Sequence, residues 1–192
     1  MKVLNDLAIL ILAGGESKRL GFSKQLFRFQ GISLLQGCIN KSRDLCDFVY
    51  VVLGNDVKRC YQETKGSKII FNENFKNGIG SSIKKGIKEL LDFEFILIMP
   101  CDYPLLPKEH LRALIERRDF EKIIATFCDG TLSSPAVFPK KFYPLLLELD
   151  DKKGAKEIIQ KYPNIFVELE KKYFLDIDTK EDIKKLSRLK WF

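Results

Sequence analysis

The most informative part of this sequence is the stretch Leu12-Ala13-Gly14-Gly15-Glu16-Ser17-Lys18-Arg19-Leu20-Gly21-Phe22-Ser23-Lys24. It directly follows an apolar run, residues 7–12, that predicts a buried first strand. Its paired glycines have no Cβ, so phosphate oxygens can approach the backbone amides closely. Arg19 adds a planar donor group and Lys24 a mobile positive charge, and both suit phosphate. The stretch therefore predicts a loop that holds a triphosphate.

This loop is not a Walker A motif, because Phe22 occupies the position at which that motif needs lysine. The alternative is a glycine-rich turn between a strand and a helix whose basic residues are merely solvated. The combination of composition, spacing and position after a strand favours the phosphate-binding interpretation.

The composition is that of a globular protein of ordinary size. The chain has 192 residues, of which 45% are hydrophobic, so we expect a single domain over residues 1–192 with a substantial core. The net charge of +7 favours an anionic partner. Lysines and arginines are spread along the whole chain, and the sequence has no recognisable nucleic-acid-binding motif. We therefore expect a polyanionic small substrate and no nucleic acid.

Cysteine and histidine usage argues against zinc sites and disulfides. The five cysteines include no CxxC pair, which favours reduced thiols in a cytoplasmic protein. The single histidine, His110, falls in a predicted helix without a nucleophile motif, so we expect it to be a surface or capping residue. No apolar run is long enough to cross a bilayer, and no membrane association is expected.

Apolar runs alternate with stretches of helical periodicity, which predicts a three-layer α/β/α fold with a mainly parallel sheet. The predicted strands are 7–12, 48–53, 68–71, 95–99, 123–127, 165–169 and 173–175, with 132–138 as a strand that could pair antiparallel. The predicted helices are 33–46, 57–64, 81–91, 107–118, 140–149, 154–161 and one that begins at residue 179.

Ligands of open parallel sheets bind outside the carboxyl ends of the strands. This rule selects the segments 12–24, 72–82, 100–106 and 132–138. In the third, Asp102 stands between two prolines and is suited to hold Mg²⁺, which prefers carboxylate oxygens. The alternative is a turn aspartate that binds its own backbone.

A second carboxylate for the metal could come from Asp176 or Asp178, and the residues leave open which one. Part of this acidity has a structural explanation, because Thr179 and Asp182 form a predicted capping box.

The segment 72–82 offers side-chain amides and hydroxyls suited to a base edge and a ribose. Its candidate binding residues are Asn72, Gly80, Ser81 and Ser82. The alternative is a loop in which Ser81 or Ser82 is the N-cap of the next helix.

Several segments resemble, in the same order along the chain, motifs of the molybdenum cofactor nucleotidyltransferases of the NTP-transferase superfamily. They are L-A-G-G-x-S-x-R-L-G-x-x-K at 12–24, N-x-x-F-x-x-G-x-x-S-S at 72–82, C-D-x-P at 101–104, S-P-A-V-F-P at 134–139, G-A-K at 154–156 and D-I-D-T at 176–179. The resemblance implies a Rossmann-like nucleotide-diphospho-sugar transferase fold, and it is strongest to the cytidylyltransferase-like branch.

The resemblance implies a Mg²⁺-dependent enzyme that joins CTP to molybdopterin and releases diphosphate. Catalysis is assigned to Arg19, Lys24 and Asp102, and the metal to Asp102 with Asp176 or Asp178. Nucleotide binding is assigned to Leu12, Ala13, Gly14, Gly15, Arg19, Lys24, Asn72, Gly80, Ser81, Ser82 and Asp102. A molybdoenzyme or its chaperone is a further implied partner.

Two sequence features bear on which nucleotide the protein uses. The cytidylyl branch has L-A-A-G where this chain has Leu12-Ala13-Gly14-Gly15, which is closer to the guanylyl branch, whereas residues 78–82 follow the cytidylyl pattern. The alternatives are a guanylyltransferase that uses GTP and a non-catalytic chaperone that binds a nucleotide or molybdopterin.

Overall fold

The computed structural model describes residues 6–188, so residues 1–5 and 189–192 of the expected domain lie outside the described part. The strands are β1 (Leu7–Ala13), β2 (Arg28–Phe29), β3 (Ile32–Ser33), β4 (Val49–Leu53), β5 (Lys68–Phe71), β6 (Phe95–Pro100), β7 (Ile123–Cys128), β8 (Thr131–Pro139) and β9 (Asn164–Glu168). The α-helices are α1 (Leu34–Arg43), α2 (Val57–Tyr61), α3 (Ile79–Glu89), α4 (Lys108–Glu116), α5 (Tyr143–Leu147), α6 (Lys156–Lys161) and α7 (Lys180–Arg188). Within residues 6–188, no helix has the length and apolarity that a membrane span requires.

A seven-stranded sheet in the order β5-β4-β1-β6-β8-β7-β9 organises the molecule. All its neighbouring pairs are parallel except those that β8 makes, since β8 runs antiparallel to both β6 and β7. The predicted mainly parallel sheet and its antiparallel strand are therefore confirmed. The carboxyl ends of β1 and β6 meet at one edge of the sheet, where the predicted loops emerge.

Both faces of the sheet are covered, which explains why the central strand is apolar throughout. On β1, Leu7, Ile9 and Ile11 face one hydrophobic cluster, whereas Leu10 and Leu12 face the other. Residues 7–11 are fully buried, and each large side chain stabilises the fold by roughly 1.5–3 kcal/mol relative to exposure. The continuous apolar run thus reflects a strand enclosed between two helical layers.

The predicted strand over residues 173–175 is wrong. A 3₁₀ turn at Lys171–Tyr173 follows β9 instead, and the ring of Phe174 stacks on that of Tyr103 with 4.9 Å between centroids. The apolar side chains of this segment are partly buried against two hydrophobic clusters, so their pattern reflects burial without strand pairing.

The start of α3 is shaped by close contact with the loop at residues 150–153. The amide of Gly80 donates a hydrogen bond to the carbonyl oxygen of Asp151 at 2.8 Å. A Cβ on Gly80 would lie 2.1 Å from the carbonyl oxygen of Asp150. The helix begins after Gly78 with no side-chain cap, which rules out the alternative in which Ser81 or Ser82 is the N-cap. Both serines lie inside the helix because the loop contact fixes its start one turn earlier.

His110 is also buried, contrary to the expected surface or capping role. Its side chain on α4 is 6% exposed, and its Nε2 lies 2.9 Å from the hydroxyl of Thr126 on β7. Burial lowers the pKa of His110 to about 4, and a hydrogen bond with the backbone of Glu168, which acts in the opposite direction, has the smaller effect. The ring therefore joins α4 to the sheet in its neutral form.

We predict that Gly80→Ala lowers the free energy of unfolding by about 2 kcal/mol or more, because the added methyl group collides with backbone that cannot move freely. Gly15→Ala is the matched control, since a Cβ there meets nothing within 4 Å; its stability should change by less than ~0.5 kcal/mol. Urea denaturation compares the two variants. Equal stability of both would contradict the packing role of Gly80.

We predict that acid destabilises the protein through His110. The unfolded chain binds a proton below the ordinary histidine pKa of 6.5, whereas folded His110 binds one only near pH 4. Stability should therefore fall as the pH drops from 6.5 to 4, by at most about 3 kcal/mol. Urea denaturation at several pH values measures the free energy of unfolding of wild type and of His110→Gln. The variant should lose less stability than wild type between pH 6.5 and 4, by at most about 3 kcal/mol. An identical pH dependence in both proteins would refute the assignment.

Candidate active site

The loop after β1 is closed by Ser17, which adopts a left-handed backbone conformation with φ of 53°. Its carbonyl oxygen accepts hydrogen bonds from the amides of Leu20 at 3.0 Å and Gly21 at 3.2 Å. Its hydroxyl accepts another from the amide of Lys24 at 3.1 Å. These bonds fold the loop back, so that Lys24 returns to the carboxyl end of the strand.

The ammonium group of Lys24 lies between two carboxylates. It donates to Oδ2 of Asp102 and to Oδ1 of Asp178 at 2.7 Å. The guanidinium group of Arg19 pairs with the other oxygen of Asp178. Four of the predicted site residues are therefore brought together from the first loop, the end of β6 and the segment before α7.

The charges of this cluster depend on one another. Burial alone would lower the pKa of Lys24, but Asp102 and Asp178 outweigh it and hold that pKa above its ordinary value. Burial raises the pKa of the Asp102 carboxyl against the opposing effect of Lys24. At Asp178, Lys24 and Arg19 outweigh burial and lower the pKa. The positive charge of Lys24 offsets part of the cost of burying the Asp102 carboxylate.

The segment before α7 is held against β6 by its backbone. Ile177 is fully buried, and its amide donates to the carbonyl oxygen of Asp102 at 3.1 Å. Asp182 accepts from the amide of Thr179 at 2.9 Å, and its own amide donates to the hydroxyl of Thr179 at 3.3 Å. The predicted capping box is therefore confirmed, and it places Asp178 beside Lys24.

Asp102 has the strongest features of a metal ligand in this region. Its Oδ1 is buried and has no hydrogen-bond partner, which is the expected state of an oxygen that serves a cation. Asp178 contacts the same lysine, whereas Asp176 is exposed. Within residues 6–188, no group of three or more acidic, histidine or cysteine side chains could hold a metal. A metal here would need ligands from its substrate as well, as Mg²⁺ commonly has.

A cleft of about 320 Å³ lies beside this cluster, which falls in the usual range for small-molecule sites. Most of its walls come from the first loop, the start of α3 and the end of β6. The predicted site residues that line it are Leu12, Gly14, Gly15, Lys24, Ser82 and Asp102. The predicted segment 132–138 does not line this cleft.

The remaining predicted nucleotide-binding residues lie behind or beside the cleft. Arg19 has a largely exposed side chain and pairs with Asp178, and Ala13 is buried. Asn72 is buried and donates to the hydroxyls of Ser81 at 2.9 Å and Ser82 at 3.0 Å. Five predicted nucleotide-binding residues therefore do not line the cleft: Arg19, Ala13, Asn72, Gly80 and Ser81. Asn72 supports its wall through the bond to Ser82.

Among the described residues that line the cleft, Gln25 lies outside the predicted segments. Phe75 lies within the segment 72–82 but was not singled out as a site residue. Gln25 directly follows Lys24, but a buried glutamine has no local sequence signature. Phe75 belongs to the quoted 72–82 pattern and packs on Gly54, where a Cβ would lie 2.4 Å from the Cβ of Phe75. Gly54 was the available sequence signal, because only a residue without a Cβ allows Phe75 to approach so closely.

This chain is similar to known proteins over most of its length. The family model described as the MobA-like NTP transferase domain matches residues 9–165. A probable molybdenum cofactor guanylyltransferase from Geobacillus sp. is 28% identical over 65% of this chain and 64% of its own length. Another from Bacillus cytotoxicus is 25% identical over 95% of this chain and 97% of its own length.

Among solved structures, Rv0371c from Mycobacterium tuberculosis H37Rv has a TM-score of 0.85 and 21% identity, over 94% of this chain and 96% of that one. A complex of that protein with manganese has also been solved, with a TM-score of 0.82 and 19% identity over 96% of this chain and all of that one. At this identity the likeness supports the fold.

The family match covers most of the chain, including the glycine loop and Asp102. This chain therefore belongs to the MobA-like NTP transferase domain family and is a nucleotidyltransferase.

Proposed function

We propose that this nucleotidyltransferase is a molybdenum cofactor guanylyltransferase, which transfers GMP from GTP to molybdopterin and releases diphosphate. The observation that carries the proposal is the bridge from Lys24 to Asp102 and Asp178 at the mouth of the cleft. The relatives named guanylyltransferases support GTP, and they favour this alternative over CTP, the main prediction from the sequence. Gly14 in the glycine loop agrees with that choice.

The proposed reaction is an in-line attack by the terminal phosphate of molybdopterin on the α-phosphorus of the nucleotide. A bond forms from the attacking phosphate oxygen to that phosphorus, and the bond to the bridging oxygen of the diphosphate breaks. The attacking group is already anionic, so the protein needs no general base. Orientation and charge neutralisation are therefore its main contributions.

Lys24 and Arg19 supply the positive charge for this reaction. Both are paired with carboxylates in the structure. Lys24 uses two of the three donors of its ammonium group on them and Arg19 one of its five, so both keep donors for a polyphosphate. The amides of the glycine loop and these two side chains would stabilise the negative charge of the departing diphosphate.

Asp102, with Asp176 or Asp178, is the proposed binding site for Mg²⁺. The unpartnered Oδ1 of Asp102 and the pairing of both Asp102 and Asp178 with one cation support this fit. When bound, the metal would polarise the phosphoryl group and offset the repulsion between the two anionic substrates.

The substrate assignment is tested by diphosphate release from GTP and from CTP, each with and without molybdopterin. We expect release from GTP that requires molybdopterin, and little from CTP. Faster release from CTP would restore the cytidylyltransferase interpretation. Equilibrium binding of both ligands with no release would instead favour the non-catalytic chaperone.

We predict that Asp102→Asn lowers diphosphate release by about a hundredfold or more, equivalent to roughly 3 kcal/mol of lost transition-state stabilisation. The variant keeps the size of the side chain but removes the negative charge that faces Lys24 and the proposed metal. Asp44→Asn is the matched control, because Asp44 pairs with Lys108 on the surface. Circular dichroism confirms folding, and full activity of the Asp102 variant would refute the assignment.

A further inference from the structure

Gln25 is a buried glutamine whose amide group is tied to the glycine loop. Its side chain follows Lys24 and is 1% exposed. Nε2 donates to the carbonyl oxygen of Ala13 at 2.9 Å and to that of Gly15 at 2.9 Å. Because both acceptors are carbonyls, the hydrogen-bond pattern fixes which end of the amide is the nitrogen. Oε1 is buried without a partner, so the site tolerates an unsatisfied acceptor to keep these two bonds.

The two bonds set the direction of the loop amides. In a trans peptide, the carbonyl oxygen of one residue and the N–H of the next point in opposite directions. The carbonyl of Gly15 is directed at Gln25, so the N–H of Glu16 is directed away from it. Neither the amide of Gly15 nor that of Glu16 donates to an acceptor within residues 6–188.

The intervening carbonyl is held by a different segment. The carbonyl oxygen of Gly14 accepts a hydrogen bond from the amide of Asn55 at 3.1 Å. Three successive carbonyls of the loop, at residues 13, 14 and 15, are thus occupied by protein donors. These carbonyl oxygens carry partial negative charge, but each already accepts a hydrogen bond and so does not face a bound anion. The amides of Gly15 and Glu16 remain available at the cleft, which both residues line.

We propose that Gln25 is a positioning residue for polyphosphate binding: its bond to the carbonyl of Gly15 directs the amide of Glu16 toward a phosphate oxygen, beside the amide of Gly15, whose peptide Asn55 holds through the carbonyl of Gly14. The inference rests on the proposed use of a nucleoside triphosphate at this cleft. Gln25 acts through the loop backbone and needs no contact with the substrate. Its contribution should therefore scale with the number of phosphates bound.

The first test compares wild type with Gln25→Met, which keeps the length of the side chain but cannot donate. We expect the dissociation constant of inorganic tripolyphosphate, measured by calorimetry, to rise about tenfold, whereas that of GMP rises less than about twofold. Gln36→Met is the matched control, because Gln36 donates to Asn40 and to the carbonyl of Lys65 outside the cleft. It should bind both ligands as wild type does.

The outcomes separate the possible explanations. An equal loss of tripolyphosphate and GMP affinity, with a lowered melting temperature, would show a merely structural role and overturn the inference. Unchanged affinity for both would overturn it as well. A wild-type protein that binds neither tripolyphosphate nor GTP would overturn the proposed function itself, and the positioning role with it.

A second measurement needs no variant and so remains decisive if Gln25→Met fails to fold. Tripolyphosphate is titrated into ¹⁵N-labelled wild-type protein, and the backbone amide resonances are followed. We expect the largest shifts at Gly15 and Glu16 and none at Gly31, which lies in the remote turn between β2 and β3. Backbone amide shifts that leave Gly15 and Glu16 unchanged while other residues of the loop respond, or no shifts at all, would overturn the inference.

Discussion

The contact of the Lys24 ammonium group with Asp102 and Asp178 is the constraint on which the rest of the site depends. It joins residues separated by 78 and 154 positions in the chain. Removing charges from water is costly, and a buried ion pair repays that cost only when its partners are well placed. Two carboxylates around one lysine meet this condition. The same arrangement holds the ammonium group of Lys24 beside the cleft.

A second constraint acts on the opposite wall of the cleft. Asp151 contacts α3 and the turn before it: its carbonyl accepts from Gly80, and its carboxylate binds Lys84 at 2.6 Å and Asn77, in that turn, at 3.0 Å. Gly78, with φ of 132°, leaves no room for a Cβ against the same backbone. The glycines of this segment therefore serve close packing between loop and helix, which keeps Ser82 at the cleft.

Much of the fold could be predicted because strands enclosed on both faces have continuous apolar runs, as β1 and β6 show. The segment 173–175 has a similar apolar character but packs without a strand partner, and composition does not distinguish the two cases. In the site, Lys24 and Asp102 could be predicted because each lies in a segment that follows a strand leading to the same edge. Gln25 could not, since its role depends on which carbonyls the folded loop presents.

His110 and Gly80 are two further residues whose structural roles could not be predicted from the sequence. Sequence patterns classify a residue by its type, but the position of His110 against Thr126 and of Gly80 against Asp151 arises from contacts between distant segments. A residue type with several common uses therefore needs the fold before its use can be assigned.

The antiparallel placement of β8 between β6 and β7 has an evolutionary consequence. The tight turn between β7 and β8, at Asp129 and Gly130, emerges at the same edge as the ends of β1 and β6, yet it contributes nothing to the lining of the cleft. Turns of this kind accept insertions readily. This hairpin can therefore lengthen or be replaced during evolution while the half of the sheet that carries Lys24 and Asp102 stays unaltered.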